Sequence, residues 1–309
     1  MPDKQIFYDN FKIPEAARPY LDIFFTPEEI SILGKYGDRI FKAEDITEYD
    51  KEKAGELLQD YYSRGLVSYE NMEKGEYRAA DFYSYLDSFV VTRIPEYRSI
   101  PAEGRKAIDG WYFDAYYEGL DKNPEKVPTG DIILPLDETL QYIDKQEGQA
   151  YLSLCDCRAL SGDCGLPLNT CVSWKNGINS RAHRGISKEI TREEAKQIVL
   201  AADKQGLVHT VNKTGVCNCC GDCCYLFRSR EKMKSHQFWP KSFYKVELEH
   251  ENCIGCGLCV KRCQFGVFSY GKPVQADTGS CIGCGVCVTG CPKDALKLIT
   301  SGLQPSPAI

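Results

Sequence analysis

Between Gly215 and Cys224 the sequence reads GVCNCCGDCC, which places the thiols of Cys217, Cys219, Cys220, Cys223 and Cys224 within ten positions. Four more, Cys155, Cys157, Cys164 and Cys171, lie upstream in CDCRALSGDCGLPLNTC, and eight follow: Cys253, Cys256, Cys259, Cys263, Cys281, Cys284, Cys287 and Cys291. These are the 17 cysteines of a 309-residue chain whose residues 1 to 154 contain none. Residues 1 to 30 are broken by prolines and charges and hold no apolar run suited to a signal peptide or membrane span. A cytoplasmic location is therefore expected, and there clustered thiols are more often metal ligands than disulfides.

The last eight form an internal repeat, ENCIGCGLCVKRCQFGVFSY and GSCIGCGVCVTGCPKDALKL, each with a C-x2-C-x2-C-x3-C run. The short spacers bring three thiolates onto three irons of one cube, on a tight loop. The fourth, carried away on the following helix, ligates the other cube. The expected ligand sets are Cys253, Cys256, Cys259 and Cys291 for cluster 1, and Cys281, Cys284, Cys287 and Cys263 for cluster 2. Gly255, Gly257, Gly283 and Gly285 leave backbone N–H groups free to approach sulfur. Four-cysteine zinc sites also use C-x2-C, but two complete runs argue for iron. This segment resembles the bacterial two-cluster ferredoxins over about fifty residues, which implies two [4Fe-4S] clusters and a role in electron entry or exit. It departs from them in one place: Pro292 follows Cys291 as in the family, whereas Gln264 follows Cys263.

The nine upstream thiols could supply one cluster with spares, or two four-thiol cubes with one left over. In an extended chain neighbouring side chains point oppositely, so Cys219 and Cys220 do not both face one cube. That favours sharing between two metal centres, or a tight turn with one free thiol. A redox-active Cys220/Cys223 pair and a structural zinc site are the alternatives. One or two further iron–sulfur clusters are expected here, with all nine upstream cysteines as candidate ligands. Arg158, Lys175, Arg181, His183, Arg184, Lys188 and Arg192 lie between the two groups and could offset thiolate charge. A sharper role near an open cluster falls to Arg158 or His183. His209, in an apolar strand, reads as a core histidine.

Four elements must position these thiols, in an α+β chain. Residues 20–90 read as a winged-helix-like unit: a capping box at Thr26-Pro27-Glu28-Glu29, and a helix capped by Asp50 with Ala54, Leu57, Leu58, Tyr61 and Tyr62 on one face. Gly65 stops that helix, and a hairpin follows with a polar tip from Asn71 to Gly75. Residues 91–150 form an aromatic-rich connecting region that ends in a short strand at 131–135 and a helix with Leu136, Leu140 and Ile143 inward. Residues 151–245 form a mixed α/β cysteine-rich domain. Within it, the capping box Thr191-Arg192-Glu193-Glu194 opens a helix with Ala195, Ile198, Val199 and Ala202 inward, and Gly206 ends it before a strand at 207–211. Residues 246–300 are the ferredoxin-like domain.

The order of winged-helix-like start, C-x-C-R element, ITREEA helix followed by GLVH, C-N-C-C-x-x-C-C element and ferredoxin repeat resembles a poorly characterised family of multi-cluster iron–sulfur proteins of anaerobes and archaea. The resemblance implies redox function without naming a substrate. Cys219-Cys220-Gly221 is also similar to the CCG motif of heterodisulfide-reductase catalytic subunits, although the surrounding spacing differs.

Net charge is −6, and residues 20–90 hold 16 acids against eight Lys and Arg. Nucleic acid and anionic membrane are poor partners for such a surface. No G-x-G-x-x-G, P-loop or radical C-x3-C-x2-C motif occurs. The expected function is electron relay between the ferredoxin clusters, an upstream cluster and a redox partner protein. An iron–sulfur reductase acting on a small molecule such as a disulfide is the alternative, and a redox-sensing regulator a third reading.

Overall fold

A computed structural model describes residues 4–123, 127–162, 164–235 and 239–302. The chain divides into two compact units. The first comprises the described residues up to Glu118 together with Ala159–Ser161 and Asn176–Lys188; the second comprises Gly119–Arg158, Gly162–Lys175 and the chain from Glu189 onward. Helices and strands are mixed in both, as expected of an α+β chain. Among the described residues no helix is long and apolar enough to cross a membrane.

The first unit begins with α1 (Lys4–Asn10), α2 (Leu21–Phe24) and α3 (Pro27–Leu33). The capping box at the start of α3 forms as expected: Glu29 N donates to Thr26 Oγ1 at 3.2 Å and Thr26 N to the Glu29 carboxylate at 2.8 Å. After β1 (Ile40–Phe41) comes α4 (Lys51–Arg64), whose N-cap Asp50 accepts from Lys53 N. Ala54, Leu58, Tyr61 and Tyr62 are its buried face, and Gly65 stops it at φ +85°, a left-handed conformation that glycine adopts without a steric penalty. The hairpin β2 (Val67–Asn71) and β3 (Glu76–Ala79) joins β1 in an antiparallel sheet of order β1-β3-β2. Then α5 (Phe82–Thr92), α6 (Ile94–Ser99) and α7 (Ala102–Glu118) follow. Phe24, Phe25, Phe82, Tyr85 and Phe89 meet edge-on or tilted in an aromatic core.

The second unit holds β4 (Ile132–Ile133), α8 (Leu136–Lys145), β5 (Ala150–Ser153), the start of α9 (Asp156–Ser161), β6 (Cys171–Ser173), all but the first residue of β7 (Lys188–Ile190), α10 (Arg192–Lys204), β8 (Val208–Asn212) and β9 (Gly215–Cys219). Its strands make a six-stranded sheet of order β4-β8-β9-β6-β5-β7. Residues of α8 and α10 close its core: Tyr142, Ile143, Ala195 and Val199 lie with Val172, Val211 and Val216. Thr191 and Glu194 make the reciprocal cap of α10, and Gly206 at φ +81° turns the chain into β8. The connection continues through α11 (Tyr225–Met233) into β10 (Tyr244–Leu248), α12 (Leu258–Arg262), β11 (Phe268–Ser269), β12 (Gln275–Ala276), α13 (Val286–Thr289) and β13 (Leu296–Thr300). β10 pairs antiparallel with β13, and β11 with β12, over a small core of Val246, Val267, Phe268, Val274 and Leu296.

Candidate metal centres

In the C-terminal repeat, Gly257 and Gly285 sit at φ +72° and +77° and turn the chain into α12 and α13. The helices therefore begin before the third cysteine of each run. Cys259 and Cys287 lie inside them, and Cys263 and Cys291 follow their ends. The expectation of three loop cysteines with the fourth on the helix is corrected to this extent. At Gly283, φ +63°, an added Cβ would run into the Tyr244 carbonyl oxygen, so the backbone approach there requires glycine.

The eight thiols fall into two sets. Cys253, Cys256, Cys259 and Cys291 line one cavity, with Leu248 and Leu296 on its wall. Cys263, from the first run, stands instead with the second: its charge and that of Cys281 act on both Cys284 and Cys287. Burial pushes the Cys284 thiol up to about 12 and raises Cys287 as well. Val246 N and Gly283 N each lie 3.4 Å from Cys281 Sγ, as donors to a cluster sulfur do. Cys256 is exposed, whereas Cys259 and Cys287 are buried. Two all-thiolate sets, each completed by a cysteine of the other run, suit iron–sulfur cubes.

Residues 252–296 match the family model of the 4Fe-4S dicluster domain. The C-terminal segment is thus a ferredoxin-like iron–sulfur domain. No curated protein and no solved structure matches the chain.

The upstream thiols belong to the same unit, and sheet register assembles them. Cys217 and Cys219 share one face of β9. Val172 pairs with Val216 in the antiparallel β6–β9 ladder, which brings Cys171 opposite Cys217. Cys155 caps α9, Cys157 lies in its first turn and Cys224 caps α11. Six thiols form a closed ring of neighbours, each acting on the next: Cys155, Cys157, Cys224, Cys219, Cys217, Cys171 and back to Cys155.

Lowered and raised thiol pKa values alternate around it. Hydrogen bonds from Cys157 and Cys171 hold Cys155 well below the ordinary thiol value, and bonds from Cys157 and Cys219 do the same for Cys224. Cys217 is lowered to about 6 by bonds from Cys171 and Cys219. The donors Cys157, Cys171 and Cys219 are held well above it by those same bonds and by burial. A ring of six soft sulfur ligands is a site for a thiophilic metal centre.

The remaining three, Cys164, Cys220 and Cys223, converge elsewhere. Their sulfurs and a carboxylate oxygen of Asp222 all lie within 4.8 Å of one another. Cys219 and Cys220, adjacent in sequence, thus go to different sites: the strand ends at Cys219 and the turn that follows carries Cys220 away.

Of the basic residues between the two cysteine groups, Arg158 serves this region. It is 2% exposed, donates to Asn218 O at 2.9 Å, Thr170 Oγ1 at 3.2 Å and the Pro167 carbonyl, and its guanidinium acts electrostatically on Cys220 and Cys155. Arg181, His183 and Arg184 belong to the first unit. His183 Nδ1 meets Tyr62 OH at 2.6 Å, Arg184 donates to the Tyr62 and Val67 carbonyls, and Arg181 pairs with Asp87. His209 is a buried core histidine, with Nδ1 2.6 Å from Asn218 Oδ1 and Nε2 3.7 Å from Asp203.

Gln264 and Arg262 join the thiol sites to the ferredoxin-like domain. Gln264 accepts from Gly221 N at 2.6 Å and donates to Gly206 O at 2.6 Å. Arg262 bonds the buried Asp203, which Thr289 also reaches at 2.8 Å. Sequence reading missed Arg262 and Asp203 and noted Gln264 only as a departure. A polar residue in place of the family's proline was the available signal. An iron–sulfur domain together with the upstream thiol clusters indicates an iron–sulfur electron-transfer role.

Proposed function

We propose that this protein relays electrons between two ferredoxin-type clusters, held by Cys253, Cys256, Cys259 and Cys291 and by Cys281, Cys284, Cys287 and Cys263, and a further iron–sulfur centre in the six-thiol ring. Bound cubes of this kind accept and release one electron each. The surface position of Cys256 suits exchange with a redox partner protein at cluster 1.

The observation that carries the reading is the 2.6 Å hydrogen bond from Gly221 N to Gln264 Oε1. Gln264 follows the cluster 2 ligand Cys263, and Gly221 sits in the turn between Cys220 and Cys223, two residues from the ring member Cys219. A single hydrogen bond therefore closes the covalent gap between the two thiol regions. In the first unit, the helix–strand–helix–hairpin order with strands β1-β3-β2 supports a winged-helix-like module. Its acidic balance favours docking of a protein over nucleic acid.

Iron and acid-labile sulfide per chain, measured on anaerobically purified protein with EPR of the reduced state, test the reading. At least about twelve irons, with a spectrum beyond that of two ferredoxin cubes, are expected. About eight irons would leave the ring without a cluster and sink the relay.

A further inference from the structure

We infer that Cys164, Cys220, Cys223 and the carboxylate of Asp222 hold one tetrahedral zinc ion, in a site separate from every iron–sulfur centre. Distance carries the inference. With Zn–S bonds of about 2.3 Å, the ligand sulfurs of a tetrahedral ion stand roughly 3.8 Å apart. In a cubane each thiolate binds a different iron, and the sulfurs are held farther apart. These four donor atoms all lie within 4.8 Å of one another, whereas the comparable group at the ring, Cys155, Asp156 and Cys157, brings together only two thiols. The eight thiols of the ferredoxin-like domain provide the contrast within one molecule. Among the described residues, no three of them converge within that distance.

The donor chemistry agrees. Three thiolates and one carboxylate fill four positions and suit a closed structural zinc site, which keeps no place for substrate. Cys223 N donates to Asp222 Oδ1 at 2.8 Å, which orients the carboxylate and leaves Oδ2 for the metal. Four anionic ligands around a divalent ion leave excess negative charge, and the buried guanidinium of Arg158, held on the Asn218 carbonyl two residues before Cys220, helps to offset it. A Cys220/Cys223 disulfide would need neither Cys164 nor Asp222. The ion clips the loop after α9 to the turn after β9, the same turn that Gln264 grips. The inference does not depend on the electron-transfer reading, because a zinc clip serves the fold whether or not the ring holds iron.

The test is zinc and iron content measured together on the full chain, purified anaerobically from cells supplied with both metals, with zinc K-edge X-ray absorption. About one zinc per chain is expected, in a shell of three sulfurs and one oxygen. Cys164→Ser should lose that zinc to a chelator with iron unchanged. Asp222→Asn alters an exposed side chain and leaves folding intact, so it keeps the test decisive if the serine variant misfolds. It should release zinc at a chelator concentration at least about tenfold lower. Protein well short of one zinc per chain overturns the inference, as does zinc retained equally by both variants. Loss of iron instead of zinc from Cys164→Ser would assign these thiols to a cluster.

Discussion

The ferredoxin-like repeat and the upstream thiol region use almost the same number of cysteines and assemble them by different means. In the repeat, three of each set's four ligands lie within seven consecutive residues, and a left-handed glycine aims the chain at each turn. In the ring, Cys155 and Cys157 come from the start of α9, Cys171 from β6, Cys217 and Cys219 from β9, and Cys224 from the cap of α11. One site is written in local spacing. The other exists only once a sheet has paired in register. A local site should survive damage to the sheet, and a register-built site should not.

The largest expected effect follows from that contrast. Cys217→Ser removes the β9 member of the ring that stands opposite Cys171 of β6, and should abolish the ring centre. Iron should fall by about four per chain while the ferredoxin EPR signal persists. An equal loss of both signals would show that the two regions are not independent. Arg158→Ala comes next. It strips a buried charge of its place beside Cys220 and leaves the Asn218 and Pro167 carbonyls without their donor. Breaking such a buried charged network costs about 3–5 kcal/mol, read as a fall in the denaturant midpoint. Arg158→Lys cannot reproduce the fork and should recover only part of it.

Gln264 tests the joint between the regions. Gln264→Ala removes hydrogen bonds to Gly221 and Gly206, for about 1–3 kcal/mol of stability. All clusters should remain, and flash-reduced ferredoxin cubes should pass electrons to the upstream centre more slowly. An unchanged rate would mean that electrons take another route, and would leave Gln264 a purely structural strap.

What could be read from sequence follows the same division. The helices α4 and α10, their caps and stops, and the two ferredoxin runs all depend on residues within a few positions, so periodicity and spacing reach them. The helix α5 escapes that pattern because Phe82, Tyr85, Leu86, Phe89, Val90 and Val91 are buried nearly all round, which blurs an amphipathic stripe. The strands β5 and β6 are three or four residues long, too short to show a hydrophobic period of their own. The ring depends on those strands, and so remained a list of nine candidate thiols. The separation of Cys219 from Cys220 was legible, because opposed side chains in an extended chain already forbid a shared site. The segment 176–188 showed only its charges; its partners, Tyr62, Val67 and Tyr69, lie more than a hundred residues away along the chain.

The smallest expected effect bears on the same division from the opposite side. Thr191→Ala deletes the hydroxyl that accepts from Glu194 N at 3.1 Å, and with it half of the reciprocal cap of α10. Loss of a cap costs about 1 kcal/mol, and none of the four atoms of that cap touches a thiol. The helix nevertheless carries Asp203, the residue that Arg262 and Thr289 both bind, so fraying at its first turn must travel three turns to reach the ferredoxin-like domain. A helix propagates its hydrogen bonds turn by turn, and the buried Ala195 and Val199 pin the intervening length against the sheet. The midpoint of unfolding should therefore drop slightly while iron content and both EPR signals stay unchanged. A change in the ferredoxin signal would mean that α10 transmits strain between the two regions, and that the locally written site leans on the sheet after all.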